Sequence, residues 1–198
     1  MDNFNFNRFI LEGKLFEEIE DLPPASNAQK TQRAITLGTY VKAKDYLNQN
    51  APEGQLLDYG AGLGHGSEGG HSFEPFPQKG FKPTYTKPEE VPADTYTKIV
   101  NLNVLNVVPQ KVRDEIVGNI GKALKPGGMA IITTRGRDVL DAKGKPGPEP
   151  MSIITTGGTY QKGFTTSELV NYVSSVLGSE FEVKAFKLGP AGCLITKK

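Results

Sequence analysis

Residues 56–64, Leu-Leu-Asp-Tyr-Gly-Ala-Gly-Leu-Gly, constrain the fold of this chain more than any other stretch. A short apolar run passes directly into a loop with glycine at every second position, Gly60, Gly62 and Gly64. Glycine takes positive φ freely, and without a Cβ it lets the backbone approach a ligand closely. Pairing of a buried strand with such a loop predicts the first strand of an open α/β sheet, at whose carboxyl end ligands settle. The spacing is G-x-G-x-G, whereas pyrophosphate binders space their glycines G-x-G-x-x-G.

The rest of the chain supplies the alternation such a sheet requires. Upstream, Phe6, Phe9, Ile10, Phe16 and Ile19 fall near helical spacing, and Pro23-Pro24 interrupts them. Ser26-x-x-Gln29 reads as a capping box opening a helix that carries Ile35, Leu37, Tyr40, Val41, Tyr46 and Leu47. After the glycine loop there is room for only one or two helical turns before Gly69-Gly70. His71–Phe76 is expected as a second strand and Thr84–Thr86 as a third. The apolar run ending in Val104-Leu105 suits a strand buried on both faces.

Val112, Ile116, Val117, Ile120 and Leu124 then recur on one helical face, with Pro109 at the first turn. Lys125-Pro126-Gly127-Gly128 ends that helix, and Met129–Thr134 is a further buried strand. A Lys/Gly/Pro-rich loop is expected from Arg135 to Pro150. Thr165-x-x-Glu168 opens another helix, and Phe181–Phe186 with Cys193–Thr196 forms a closing antiparallel hairpin. The fold class is therefore α/β: a doubly wound, mostly parallel sheet with a C-terminal antiparallel hairpin. Residues 1–50 are expected as an N-terminal helical segment packing on a core domain of residues 51–198.

The order of four segments resembles the class I S-adenosylmethionine-dependent methyltransferases over about residues 50–198. Leu57–Gly64 is similar to motif I of that family. Glu74 matches the acidic position that bonds the ribose hydroxyls. Asn101-Leu102-Asn103-Val104 looks like the tip of the fourth strand, which meets the methionine end of the cofactor, and Leu124–Gly128 like the turn before the fifth.

The resemblance implies S-adenosylmethionine as cofactor, held by Asp58, Tyr59, Gly60, Ala61, Gly62, Gly64, Glu74, Asn101 and Leu102. In that reading loop N–H groups bond the carboxylate of the methionine end, Asp58 takes its ammonium, and Phe76 or Tyr85 covers the adenine. Each position has a structural alternative: Asp58 as organiser of the turn, Glu74 as a solvated edge carboxylate, the aromatics as core. Glu74 follows Gly60 closely and precedes Pro75-Phe76-Pro77, both departures from the family pattern.

Catalytic candidates are fewer. Methyl transfer from a sulfonium depends on alignment, and a base is needed only where the acceptor must lose a proton. His65 could act as such a base. Asn103 or Asn106 could position a substrate, and Arg135 with Arg137 could clamp an anion. The alternatives are an exposed loop histidine, a turn or cap, and a solvated pair. Lys143, Lys145 and Lys162 with Tyr160 and Phe164 flank loops that could form a lid or meet a nucleic-acid strand.

Charge and motif bound the function further. Lys plus Arg number 23 and Asp plus Glu 22, a formal net charge of +1, so no global nucleic-acid field is evident. The Pro-Pro-aromatic motif of the amino-methylating DNA enzymes is missing after Asn101. The expectation is a methyltransferase acting on an N or O nucleophile of a small molecule, with nucleic acid as the alternative acceptor. A cofactor-degrading lyase or hydrolase, and a non-catalytic cofactor-binding subunit, are two further readings. One cysteine, Cys193, suits a reducing, cytoplasmic setting, and neither a membrane span nor a metal-ligand cluster is expected.

Overall fold

A computed structural model describes residues 22–23, 25–32, 37–64, 66–67 and 69–198. The Phe-rich segment before Leu22, Ile35 and His65 lie outside the described residues. Helix α1 spans Leu37–Asn50, and strand β1, Leu56–Tyr59, follows it. Then come β2 (His71–Phe73), β3 (Tyr96–Leu102), α2 (Gln110–Ala123) and β4 (Leu124–Thr134). Three short strands follow, β5 (Gly144–Pro146), β6 (Ser152–Thr155) and β7 (Tyr160–Lys162). Helix α3 (Thr166–Leu177) and strands β8 (Phe181–Ala185) and β9 (Ala191–Lys197) close the chain.

The main sheet has the order β2-β1-β3-β4-β9-β8. β1 pairs in parallel with β2 (Asp58 opposite Ser72) and with β3 (Asp58 opposite Val100). β3 pairs in parallel with β4, while β4–β9 and β9–β8 are antiparallel. This is the expected mostly parallel sheet with its closing hairpin. The third expected strand is reduced to one parallel bridge between Phe73 and Tyr85. β2 also ends earlier than expected, at Phe73, because Pro75 and Pro77 lack the N–H a ladder needs.

Both faces of the sheet are covered. On one, α2 and α3 bury Val112, Ile116, Val117, Ile120, Leu169 and Val173 against Leu57, Ile99 and Ile132. On the other, α1 buries Tyr40, Ala43 and Leu47 against Leu56, Val100, Leu102 and Ile131. Complete burial of aliphatic side chains of this size stabilises by about 1.5–3 kcal/mol each. Thr165 caps α3 as expected, its hydroxyl accepting from the Glu168 N–H while Glu168 accepts from the Thr165 N–H.

Three expectations are corrected. No helix follows the glycine loop among the described residues; Gly64, Ser67 and Gly70 each donate a three-residue-back turn bond instead. Ser26-x-x-Gln29 does not open α1. Residues Ala25–Thr31 form a 3-10 segment, and the Gln29 side chain reaches across to the carbonyl of Phe76 at 2.8 Å. The loop expected beyond Arg135 instead contains a 3-10 turn at Arg137–Asp141 and the antiparallel sheet β5-β6-β7.

That small sheet is anchored to the core by charge. Arg113, on α2 and 2% exposed, donates to the Val108 carbonyl and pairs with Glu149, which also accepts from the Tyr160 hydroxyl. The guanidinium lies over the rings of Phe164 and Tyr172. A buried guanidinium needs its partners, because the desolvation cost of an unpaired ion is large.

Candidate functional site

At the carboxyl ends of β1, β2 and β3 the small sheet, the 3-10 segment and α2 enclose a cleft of about 790 Å³. That volume falls within the range of small-molecule sites, roughly 300–1,000 Å³. Its floor is the glycine loop. Gly60, Gly62 and Gly64 all have positive φ, at 94°, 55° and 82°. A Cβ on Gly60 would meet Val104 Cγ2 at 2.5 Å, so the loop can approach the β3 tip only with glycine there.

Four amides of this loop are committed within the protein. Gly60 and Ala61 N–H both donate to the Phe73 carbonyl, at 2.8 and 3.0 Å. Gly64 N–H donates to the Ala61 carbonyl, and Gly62 N–H donates to Glu74 Oε2 at 2.8 Å. The second oxygen of Glu74 accepts from the Phe76 N–H at 3.0 Å. Glu74 is 5% exposed, and burial raises its pKa against the opposing effect of the two N–H donors. Each oxygen accepts one of these bonds, and a carboxylate has about four lone-pair sites, so capacity remains toward the cleft.

Of the residues expected to hold a cofactor, Tyr59, Gly60, Gly62, Glu74 and Leu102 line the cleft. Asp58, Ala61, Gly64 and Asn101 do not. Asp58 is fully buried on the α1 side, where both its oxygens accept from the Tyr40 hydroxyl at 3.1 and 3.0 Å. Desolvation is the larger influence on its carboxyl and raises the pKa to about 7, with the Tyr40 bond opposing. Asp58, read from the sequence as an ammonium acceptor, ties β1 to α1 through these bonds. Asn101 donates to the Tyr59 carbonyl at 2.6 Å, and Ala61 is completely buried.

The catalytic candidates separate in the same way. Asn103 and Arg135 reach the cleft wall. Asn103 has φ 58°, a left-handed conformation that asparagine tolerates, where the chain turns away from β3. Arg135, half-exposed, bonds Asp138 Oδ2 through Nε and one terminal nitrogen. His71 packs at the far end of β2, its Nδ1 2.7 Å from the Tyr96 hydroxyl. Tyr85 shares that cluster, which removes it from the adenine role, whereas Phe76 lines the cleft. Lys162 is buried, donating to the Gly163 carbonyl and lying 4.5 Å from the Phe164 ring centroid. It cannot meet a nucleic-acid strand from there. Lys143 is exposed at the cleft rim.

Other wall residues were not singled out in the sequence. The 3-10 segment straps the cleft between two elements: Asn27 donates to the Gly158 carbonyl, and Gln29 and Gln78 cross-bond over the loop after β2. Gln32 lies against the glycine loop, its Cγ 3.6 Å from where a Gly62 Cβ would stand, and its Oε1 is buried with no partner. Glu115 and Asn119 on α2 line a recess behind Tyr59, whose hydroxyl bonds Asn119. Burial raises the Glu115 carboxyl to about 7. Thr155, Thr159 and Gln161 come from the β6–β7 hairpin. The signal for that hairpin was present: a β-branched run, Ser152–Thr155, followed by Gly157-Gly158.

No family model matches the sequence, and no curated protein matches it either. Solved structures do match in shape. A protein of Pyrococcus horikoshii OT3 aligns with a TM-score of 0.60 and 11% identity, over 84% of this chain and 93% of that one. A Thermotoga maritima S-adenosylmethionine-dependent methyltransferase, described as a possible histamine N-methyltransferase, aligns over 98% of both chains, with a TM-score of 0.55 and 16% identity. The 1,6-didemethyltoxoflavin N1-methyltransferase of Burkholderia thailandensis, solved with that compound and S-adenosylhomocysteine, has a TM-score of 0.55 and 13% identity. It covers 98% of this chain and 90% of its own. The chain has the S-adenosylmethionine-dependent methyltransferase fold. In this chain the loop after β1 and Glu74, just after β2, share one cleft. Among the described residues no group of three or more His, Cys, Asp or Glu is arranged to hold a metal, and no helix is long and apolar enough to cross a membrane.

Proposed function

We propose that this protein is an S-adenosylmethionine-dependent methyltransferase acting on an N or O nucleophile of a small molecule. The observation that carries this reading is Glu74, clamped to the glycine loop and buried on the wall of a cleft sized for a nucleoside and a second small ligand. The cofactor, when bound, supplies a methyl group already activated on a sulfonium.

The chain's own residues divide the remaining work. Glu74 accepts the ribose diol through its free lone pairs, as charge-assisted hydrogen bonds of the stronger sort. Gln32 Oε1, buried without a partner beside Gly62, accepts from the ammonium of the methionine end. Phe76 supplies an apolar surface for the base. The strap and the hairpin exclude water above it.

A small acceptor is favoured over a polyanion by two observations. Arg135 is engaged by Asp138, and Lys162 is turned into the core. The Burkholderia neighbour is itself named for a small-molecule acceptor.

Calorimetry with S-adenosylhomocysteine tests the cofactor assignment. The expected dissociation constant is on the micromolar scale, about 8 kcal/mol. Gly62→Val puts a branched side chain at φ 55° and against Gln32, and is expected to abolish binding. No heat with the unmutated protein would end the reading. Incubation with methyl-labelled cofactor then separates the alternatives: methylthioadenosine as product indicates a lyase, and binding without turnover a non-catalytic subunit.

A further inference from the structure

The wall of the cleft beside the β3 tip carries an acceptor without a donor. Asn106 lies in the 3-10 turn Leu105–Val107, between β3 and α2. It is 3% exposed, lines the cleft, and its Oδ1 is buried with no hydrogen-bond partner. Burying a carbonyl oxygen unpaired costs free energy that a ligand's donor would recover.

The surroundings narrow that ligand's chemistry. Val104, Val107, Val108 and Val112 give the adjacent wall an apolar character. A second acceptor on the same wall, Glu115 Oε2, is also buried without a hydrogen-bond partner. Lys30 and Lys143 are exposed, and Arg135 is engaged by Asp138. The two unpaired acceptors of the buried wall therefore ask for hydrogen-bond donors on an apolar body.

We propose that Asn106 is the positioning residue of the methyl-acceptor subsite, its Oδ1 taking the N–H of a small neutral nitrogen heterocycle. Held by that N–H, the ring turns its other nitrogen lone pair away from Asn106 and into the cleft. This rests on the methyltransferase reading and adds the class of acceptor to it.

The test uses benzimidazole, 1-methylbenzimidazole and benzoate as probes, titrated calorimetrically against the protein saturated with S-adenosylhomocysteine. Unmutated protein and Asn106→Asp, which keeps the acceptor, are expected to bind benzimidazole at least about tenfold more tightly than its N-methyl analogue. Asn106→Leu, of similar size and without the acceptor, is expected to bind both alike and to keep its affinity for S-adenosylhomocysteine. Equal affinities in the unmutated protein, a difference that persists in Asn106→Leu, tightest binding of benzoate, or no binding by any probe at millimolar concentration would each overturn the proposal. If Asn106→Leu does not fold, the unmutated protein and Asn106→Asp still decide it. Failure of S-adenosylhomocysteine to bind the unmutated protein would instead sink the methyltransferase reading, and the probe comparison would then be made on the free protein.

Discussion

Asp58 makes the fold sensitive to pH in a way that one substitution should remove. Its carboxyl is fully buried, accepts from the Tyr40 hydroxyl, and has a pKa raised by desolvation from 3.8 to about 7. Below about pH 4 the group is protonated in both the folded and unfolded chain and has no differential effect. As pH rises from there, the unfolded chain releases the proton first, so the folded state binds more protons and stability falls. The loss continues until the folded group also ionises, near pH 7, and is complete above it. A shift of this size corresponds to about 4 kcal/mol in full, of which about 2–3 kcal/mol falls between pH 5 and pH 8.

Asp58→Asn keeps the shape and an oxygen that can accept from Tyr40, and cannot ionise. Urea unfolding at pH 5, 6, 7 and 8 is the assay. Glu74 and Glu115 also have raised pKa values, so the readout is the difference between parent and variant rather than either curve alone. The variant's stability relative to the parent should rise by about 2–3 kcal/mol across that range. A difference independent of pH would mean that Asp58 is ionised when folded, with the Tyr40 bond outweighing desolvation, and would refute the argument.

Glu74→Ala should weaken S-adenosylhomocysteine binding by about 1.5–3 kcal/mol, and a 2′-deoxy analogue should lose far less further affinity in that variant than in the parent. Equal losses in both proteins would place the ribose elsewhere. Glu149→Gln, which leaves the buried Arg113 guanidinium without its anion, should lower stability by about 3 kcal/mol; a urea midpoint shift worth less than about 0.5 kcal/mol would show that the pair does not hold the small sheet to α2.

Local sequence determined the parts of this protein in which one short segment dictates its own environment. The largely apolar runs 55–59, 96–105 and 129–134 can satisfy their backbone groups and bury both faces only inside a sheet, so these strands and a mostly parallel sheet were legible, although β3 ends at Leu102 and the strand order came from the structure. Glycine at 60, 62 and 64 announced backbone that side chains must avoid, and Thr165 with Glu168 a helix start, because each acts over a few residues. What a buried polar group bonds to is set by elements far away in the chain, and only the tertiary structure decided it. Asp58 reads as a ligand from its place beside the loop, yet its neighbour is Tyr40, on a helix 18 positions earlier. Lys162 reads as a basic loop residue and is folded under Phe164. The cleft wall is assembled from the strap, the β6–β7 hairpin and α2, held by bonds such as Asn27 to Gly158 that span 131 positions. No local pattern encodes such a contact. It exists because the sheet brings those segments to one edge, where each unpaired polar atom must find a partner or wait for a ligand to supply one.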